Sequence, residues 1–164
     1  MINNLTRLLE AGQVDRFHTE PTIHNRNIGH HSFNMMLIID WAYENNPPVE
    51  ILRAAMLHDM HERYMGDIPY PIKRNPLIED NLKILESEIN KEMRIYYSLT
   101  KNQEEILNAA DMLEFMWYIL QERRLGNTNH EWAFVKANEY LELPRNDRIR
   151  MFHKYICKEW EELL

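Results

Sequence analysis

Apolar residues return at three- and four-residue intervals along most of the chain, the period that gives a helix one inward face. Residues 2–11 make a first short helix closed by Gly12. A second, residues 31–45, carries Phe33, Met36, Leu37 and Trp41 at helical spacing, and Asn46-Pro47-Pro48 stops it. Pro48 can also open the third, residues 49–65, whose apolar run from Ile51 leads straight into His58-Asp59. The segment Gly66-Asp67-Ile68-Pro69-Tyr70-Pro71 then reads as a proline-stiffened loop. Residues 77–98 are amphipathic, with Leu82, Leu85, Ile89 and Met93 expected inward and Lys83, Ser87, Asn90 and Arg94 outward. Residues 102–125 form a long helix that Gly126-Asn127 ends as a C-cap, and helices over 129–142 and 146–164 follow, separated by Pro144. Residues 13–29 read as an irregular polar arm outside the core, holding Arg16, Phe17, His18 and Pro21. Strand patterns find little support. The expectation is an all-α bundle of about six to seven helices in a single domain, residues 1–164, with no repeat or linker.

Composition narrows the function. The chain is 45% hydrophobic and 27% charged, and its net charge of -7 argues against a nucleic-acid polymer as partner, since such a surface is basic. An anionic ligand therefore needs a local positive site. The one cysteine, Cys157, cannot pair within the chain and fits a reducing compartment. No apolar run approaches the ~18 residues of a membrane helix, and the amino-terminal residues lack a signal-type apolar stretch, so a cytoplasmic location is expected.

Four side chains of metal-ligand type interrupt apolar helix positions: His31, the pair His58-Asp59, and Asp111 between Ala110 and Met112. A lone histidine at a helix start is commonly a cap or a core residue. An aspartate among apolar neighbours calls for a cation, which a buried arginine or a metal can provide. Two imidazoles and two carboxylates from three helices make a mixed N/O set suited to one divalent transition metal, Co, Mn, Zn, Ni or Fe, with positions left for water and substrate.

His31, His58-Asp59 and Asp111, in that order in a helical chain, resemble the H...HD...D signature of the HD-domain metal-dependent phosphohydrolases. The tract His-Asp-x-x-Glu-x-x-x-Gly-Asp-Ile-Pro-x-Pro-Ile-Lys, from His58 to Lys73, is similar to the subgroup of 5'-deoxynucleotidases and phage-type deoxynucleoside triphosphate hydrolases. Arg16-Phe17-His18 and the segment from Asn27 to Ser32 resemble that subgroup too, over roughly residues 16–125. Two positions depart from it: His30 stands where the subgroup has an acidic residue, and Phe17 where the deoxynucleotidases have tryptophan.

The resemblance implies an HD-domain helical bundle in which His31, His58, Asp59 and Asp111 are metal ligands, with Glu62 and Asp67 beside the attacking water. The acidic chain needs a local positive patch to hold a polyanion, which assigns Arg16 and Lys73 to phosphate, with Arg74 as a further candidate or a solvated residue; Phe17 and His18 are candidates to contact the nucleotide, with ordinary loop packing as the alternative. Helix spacing independently puts Glu62 one turn beyond the His58-Asp59 pair. The expected substrate is a deoxynucleotide, with a dATP-type triphosphate favoured, giving deoxynucleoside and triphosphate. The alternatives are a monophosphate giving phosphate, a non-catalytic nucleotide-binding HD module, and a signalling-nucleotide phosphodiesterase, which would want more histidines for a second metal. Oligomers are common in the subgroup, and Trp132, Tyr140, Trp160 and Leu163 in the last helices offer apolar surface for a homo-oligomer. A phage origin, with action in the host cytoplasm, fits the same resemblance.

Overall fold

The computed structural model describes residues 2–73 and 75–164. Among them are the helices α1 (Ile2–Ala11), α2 (Ile28–Ala42), α3 (Val49–Leu57), α4 (Glu62–Met65), α5 (Tyr70–Lys73), α6 (Glu79–Glu92), α7 (Lys101–Arg124), α8 (Glu131–Tyr140) and α9 (Asp147–Glu161). Two short strands, β1 (Asp15–Arg16) and β2 (Arg26–Asn27), pair antiparallel, with Arg16 opposite Arg26. The architecture is all-α, as expected, apart from this ribbon.

Helix α7 is the axis, because α2, α3, α8 and α9 all pack on it. It is buried on nearly every side between Ile106 and Leu120. Its start is a capping box missed in the sequence: Thr100 Oγ1 accepts the Gln103 N–H while the Gln103 side chain accepts the Thr100 N–H. Its end is the expected one, with Gly126 at φ 95° and Asn127 N–H donating to Glu122 O at 3.0 Å. Asn27 caps α2 by accepting the His30 N–H at 2.9 Å, so α2 begins three residues before the expected position.

Several expectations need correction. The helix predicted over residues 49–65 stops at Leu57, and the next turn tightens: Met60 N–H reaches Leu57 O and Glu62 N–H reaches Asp59 O, at 3.2 and 3.0 Å. On α2, Phe33 and Leu37 are exposed, and the buried stripe runs through His31, Met35, Ile38 and Ile39. Leu85 of α6 is exposed, whereas Trp160 is buried, stacked on Phe134 at 3.9 Å between ring centres. The arm is not wholly outside the core, since Arg26 and Ile28 are buried and Phe17 packs on the main core.

The buried apolar residues form two clusters. The larger joins α2, α3, α7, α8 and α9; the smaller joins Ala11, Ile28, Leu57, Met60, Ile89, Met93 and Ile95. His58 and Asp59 lie on the seam, with Ala55 in the first cluster and Met60 in the second. The residue after α1 meets the first turn of α2 closely: Gly29 N–H donates to Gly12 O at 3.0 Å, and a Cβ on Gly29 would stand 3.1 Å from that oxygen. No described helix is long and apolar enough to cross a membrane.

Candidate metal centre and its cavity

Three elements bring the four expected ligands together: α2 carries His31, the turn after α3 carries His58 and Asp59, and α7 carries Asp111. His31 Nε2 stands 3.2 Å from His58 Nε2, 3.2 Å from Asp111 Oδ1 and 3.6 Å from Asp59 Oδ2. His58 Nε2 is 3.3 Å from the same Asp59 oxygen. Each ring is turned by what its other nitrogen does. His31 Nδ1 donates to Glu114 Oε2 at 2.6 Å, and His58 Nδ1 donates to the Ala55 carbonyl at 2.9 Å. Both Nε2 atoms then face the two carboxylates, a donor set that only a cation reconciles. Burial and the Arg16 charge hold His31 down to about 4, so its imidazole is neutral. Against burial, Asp59 and Asp111 draw His58 up to about 9, so in the protein alone its proton is the cation that a divalent ion displaces. The residues fit a divalent metal.

The remaining charges are arranged around Asp59 and Glu62. Arg16 Nη1 donates to Asp59 Oδ2 at 2.5 Å. Burial raises the Asp59 carboxyl, but His58 and Arg16 outweigh it and hold it well below the usual range. Lys73 Nζ donates to Glu62 Oε1 at 2.7 Å. Glu62 is fully buried, and burial together with the Asp59 charge pushes its carboxyl up to about 7. Asp67 Oδ2 accepts the Phe17 N–H at 2.8 Å. That amide belongs to a residue in the left-handed region, φ 58°, a strained position of the kind found at functional sites.

The sequence missed the shell behind His31. Glu114 lies one turn beyond Asp111 on α7, and it also accepts from Asn34 Nδ2 at 3.1 Å and pairs with the buried Arg26. Spacing of three from Asp111 is the signal available for it. The ribbon therefore sends two arginines inward in register, Arg16 to Asp59 and Arg26 to Glu114.

A cavity of about 360 Å³ opens beside the ligands. It is lined by Asp59, Asp111, Arg16, Asp67 and Lys73, by Phe17, Met112 and Phe115, by Trp132, Ala133 and Lys136 of α8, and by Lys83 and Glu86 of α6. Phe17 stacks on Phe115 and Tyr118, with ring centres 5.5 and 4.7 Å apart. His18 is exposed and is not among the lining residues. Arg74 lies outside the described residues. The arm between the strands is tied down by α7 and the loop after it: Glu122 accepts the Ile23 and His24 amides, Tyr118 Oη donates to His24 O, and Asn127 Nδ2 donates to Pro21 O.

Comparison with known proteins accords with this arrangement. The chain is similar in structure to the cyanophage S-2L HD phosphohydrolase DatZ, solved bound to dA and one catalytic Zn2+ ion. The TM-score is 0.68 at 19% sequence identity, over 93% of this chain and 96% of that one. Among curated proteins, none matches the sequence. Residues 4–160 match the model of the family described as 5'-deoxynucleotidase YfbR-like, so the chain belongs to this family and is an HD-domain, metal-dependent phosphohydrolase of deoxynucleotides.

Proposed function

We propose that the protein is a deoxynucleoside triphosphate triphosphohydrolase of dATP type, a single HD domain whose His31, His58, Asp59 and Asp111 hold one divalent metal. The observation that carries the triphosphate reading is a cavity lining that joins aromatic groups, Phe17, Phe115 and Trp132, to cations from several elements, Arg16, Lys73, Lys83 and Lys136. A monophosphate needs only the cations beside the ligands, Arg16 and Lys73. A tail of three phosphates needs more of them, and in a protein of net charge -7 those must be local.

A divalent ion at the site supplies Lewis acidity to the reacting phosphoryl group. Arg16 and Lys73, now paired with Asp59 and Glu62, exchange those partners for phosphate oxygens. Glu62, with its carboxyl near neutrality, takes a proton from the water that attacks the α-phosphorus. The new water oxygen–phosphorus bond forms as the bond from phosphorus to O5' breaks, and the electron pair left on O5' takes up the proton. One water is consumed, and deoxynucleoside and triphosphate leave. Asp67, fixed by the Phe17 amide, orients the water, and Phe17 packs against the nucleoside; for His18, exposed and outside the cavity lining, a nucleotide contact rests on the family resemblance alone.

The second reading is a 5'-deoxynucleotidase acting on monophosphates, favoured by the family's own description. Ion chromatography of products over dNMP and dNTP panels separates the two. Equal amounts of deoxyadenosine and triphosphate from dATP are expected; phosphate from dAMP with no turnover of dATP would overturn the triphosphate reading. We also place the enzyme in the cytoplasm as a homo-oligomer, which the free Cys157 and the exposed Trp132, Tyr140 and Leu163 support.

A further inference from the structure

We propose that Arg26 is a positioning residue of the metal centre: from β2 it fixes Glu114, and through Glu114 it fixes His31. The ribbon that offers Arg16 to the substrate then also sets how tightly the metal is held, and this rests on His31 being a ligand. Arg26 is 6% exposed and Glu114 2%, and Arg26 Nη2 pairs with Glu114 Oε1. A carboxylate buried so deeply is costly unless a cation meets it, and a guanidinium keeps its charge there. The two oxygens of Glu114 have separate partners. Oε2 accepts the His31 Nδ1–H at 2.6 Å, while Oε1 accepts from Asn34 Nδ2 at 3.1 Å and from Arg26. Anchored at Oε1 from two sides, the carboxylate keeps Oε2 on His31, and His31 keeps Nε2 toward Asp59, Asp111 and His58. Removing Arg26 alone leaves the Glu114 charge uncompensated, so the carboxylate turns or draws in water, and either change frees the ring.

The ribbon bears a cost for this arrangement. Arg26 stands opposite Arg16 in the antiparallel register, and like charges directly opposite are destabilising. Each is relieved by its own carboxylate, so each strand delivers one cation to a different ligand: Arg16 to Asp59 directly, and Arg26 to His31 by way of Glu114. Tyr118 of α7 completes the set. Its ring centre lies 4.8 Å from the Arg26 guanidinium and 4.7 Å from that of Phe17, and its hydroxyl donates to His24 O. Arg26 Nε has no partner, so the guanidinium engages Glu114 from its Nη end alone. A lysine there keeps the charge but loses the planar group that lies over Tyr118.

The metal-free full chain is titrated with Mn2+ by isothermal calorimetry. Arg26→Gln should weaken binding about 10–100-fold, the loss expected for an outer contact to a ligand, and Arg26→Lys should fall between it and the wild type. Because Arg26 acts through Glu114, the double variant Arg26→Gln/Glu114→Gln should bind no more weakly than Glu114→Gln alone. Turnover of deoxynucleotide by Arg26→Gln should drop when Mn2+ is stoichiometric and recover at about a hundredfold excess, which a general loss of structure would not allow. Wild-type affinity in Arg26→Gln, or a loss of turnover that excess Mn2+ leaves unrepaired, overturns the role. If Arg26→Gln fails to fold, Arg26→Lys and the double variant, which leaves no buried charge unpaired, decide instead. Wild-type affinity in the first, or a further loss of about tenfold in the second beyond Glu114→Gln, overturns it equally. Wild-type affinity in Asp111→Asn would instead remove the metal assignment beneath the proposal, while the phosphate count of the substrate is read from products and leaves these titrations untouched.

Discussion

Glu114 does for His31 what the Ala55 carbonyl does for His58: it accepts the hydrogen bond from Nδ1–H, so that each ring presents Nε2 to the carboxylates. Glu114→Gln should lower metal affinity about 10–100-fold, as loss of such outer contacts does, and isothermal titration with Zn2+ or Mn2+ measures it. Unchanged affinity would show that the ring is held by packing alone. For Glu62, the isosteric Glu62→Gln removes the proton acceptor and should lower kcat by about 10²–10⁴-fold, read by single-turnover assays, with nucleotide binding followed separately. Wild-type turnover would take Glu62 out of the chemistry. Asp111 was legible in the sequence because a carboxylate between Ala110 and Met112 has no cheap place in a helix. Glu114 was not, since a glutamate in a charged helix looks like any solvated one; nor did its spacing from Asp111 say which histidine it would meet. The partners of Arg16 and Lys73 depended on distances across 43 and 11 residues, which no local pattern encodes.

Elements set how well those residues are held, and here the ends of helices matter most. The sequence placed α7 correctly because Gly126 is a plain stop, but it ran α3 on to residue 65, since no glycine or proline stands between Leu57 and Met65. The break comes from tertiary packing: Leu57 and Met60 are both buried in the smaller cluster, and the turn between them, which bears His58 and Asp59, tightens to bring them there. The two-residue strands of the arm were illegible for a similar reason, being too short to leave a pattern. What fixes the arm is Glu122. Burial raises its carboxyl, yet the Ile23 and His24 amides and the Asn127 side chain hold it below its ordinary value. A depressed folded value gives stability that is present above the ordinary carboxylate range near ~4.3 and lost as pH falls through that range toward the folded value. Glu122→Gln should therefore flatten the acid limb of a thermal-melt series and cost about 1–3 kcal/mol at neutral pH, from weakened bonds to buried donors. Equal acid slopes in the two proteins would refute the tie.

Across the whole molecule, the candidate ligands join three helices that the chain order keeps far apart: α2, the end of α3, and α7. The HD signature disclosed that joining before any coordinates, because the ordered set His31, His58-Asp59 and Asp111 carries it; the extent of the cavity and the reach of α6 into it were beyond any motif. Two imidazoles and two carboxylates with neighbouring oxygens and nitrogens 3.2–3.6 Å apart repel one another unless a positive charge sits among them. An ion that binds the folded chain and not the unfolded one stabilises it by mass action, about 2.7 kcal/mol at a hundred times its Kd. In a chain of this length that corresponds to roughly 5–10 °C in Tm, at about 2–4 °C per kcal/mol. Chelation by EDTA should lower Tm by that amount, and stoichiometric Mn2+ or Zn2+ should restore it. Asp59→Ala, which removes a carboxylate from the centre of the set and leaves Arg16 unpaired, should abolish both the metal-dependent shift and turnover. Differential scanning calorimetry reads the shift directly. A Tm indifferent to chelation and to re-added metal, in a protein that still hydrolyses deoxynucleotides, would mean that these four residues do not hold the ion.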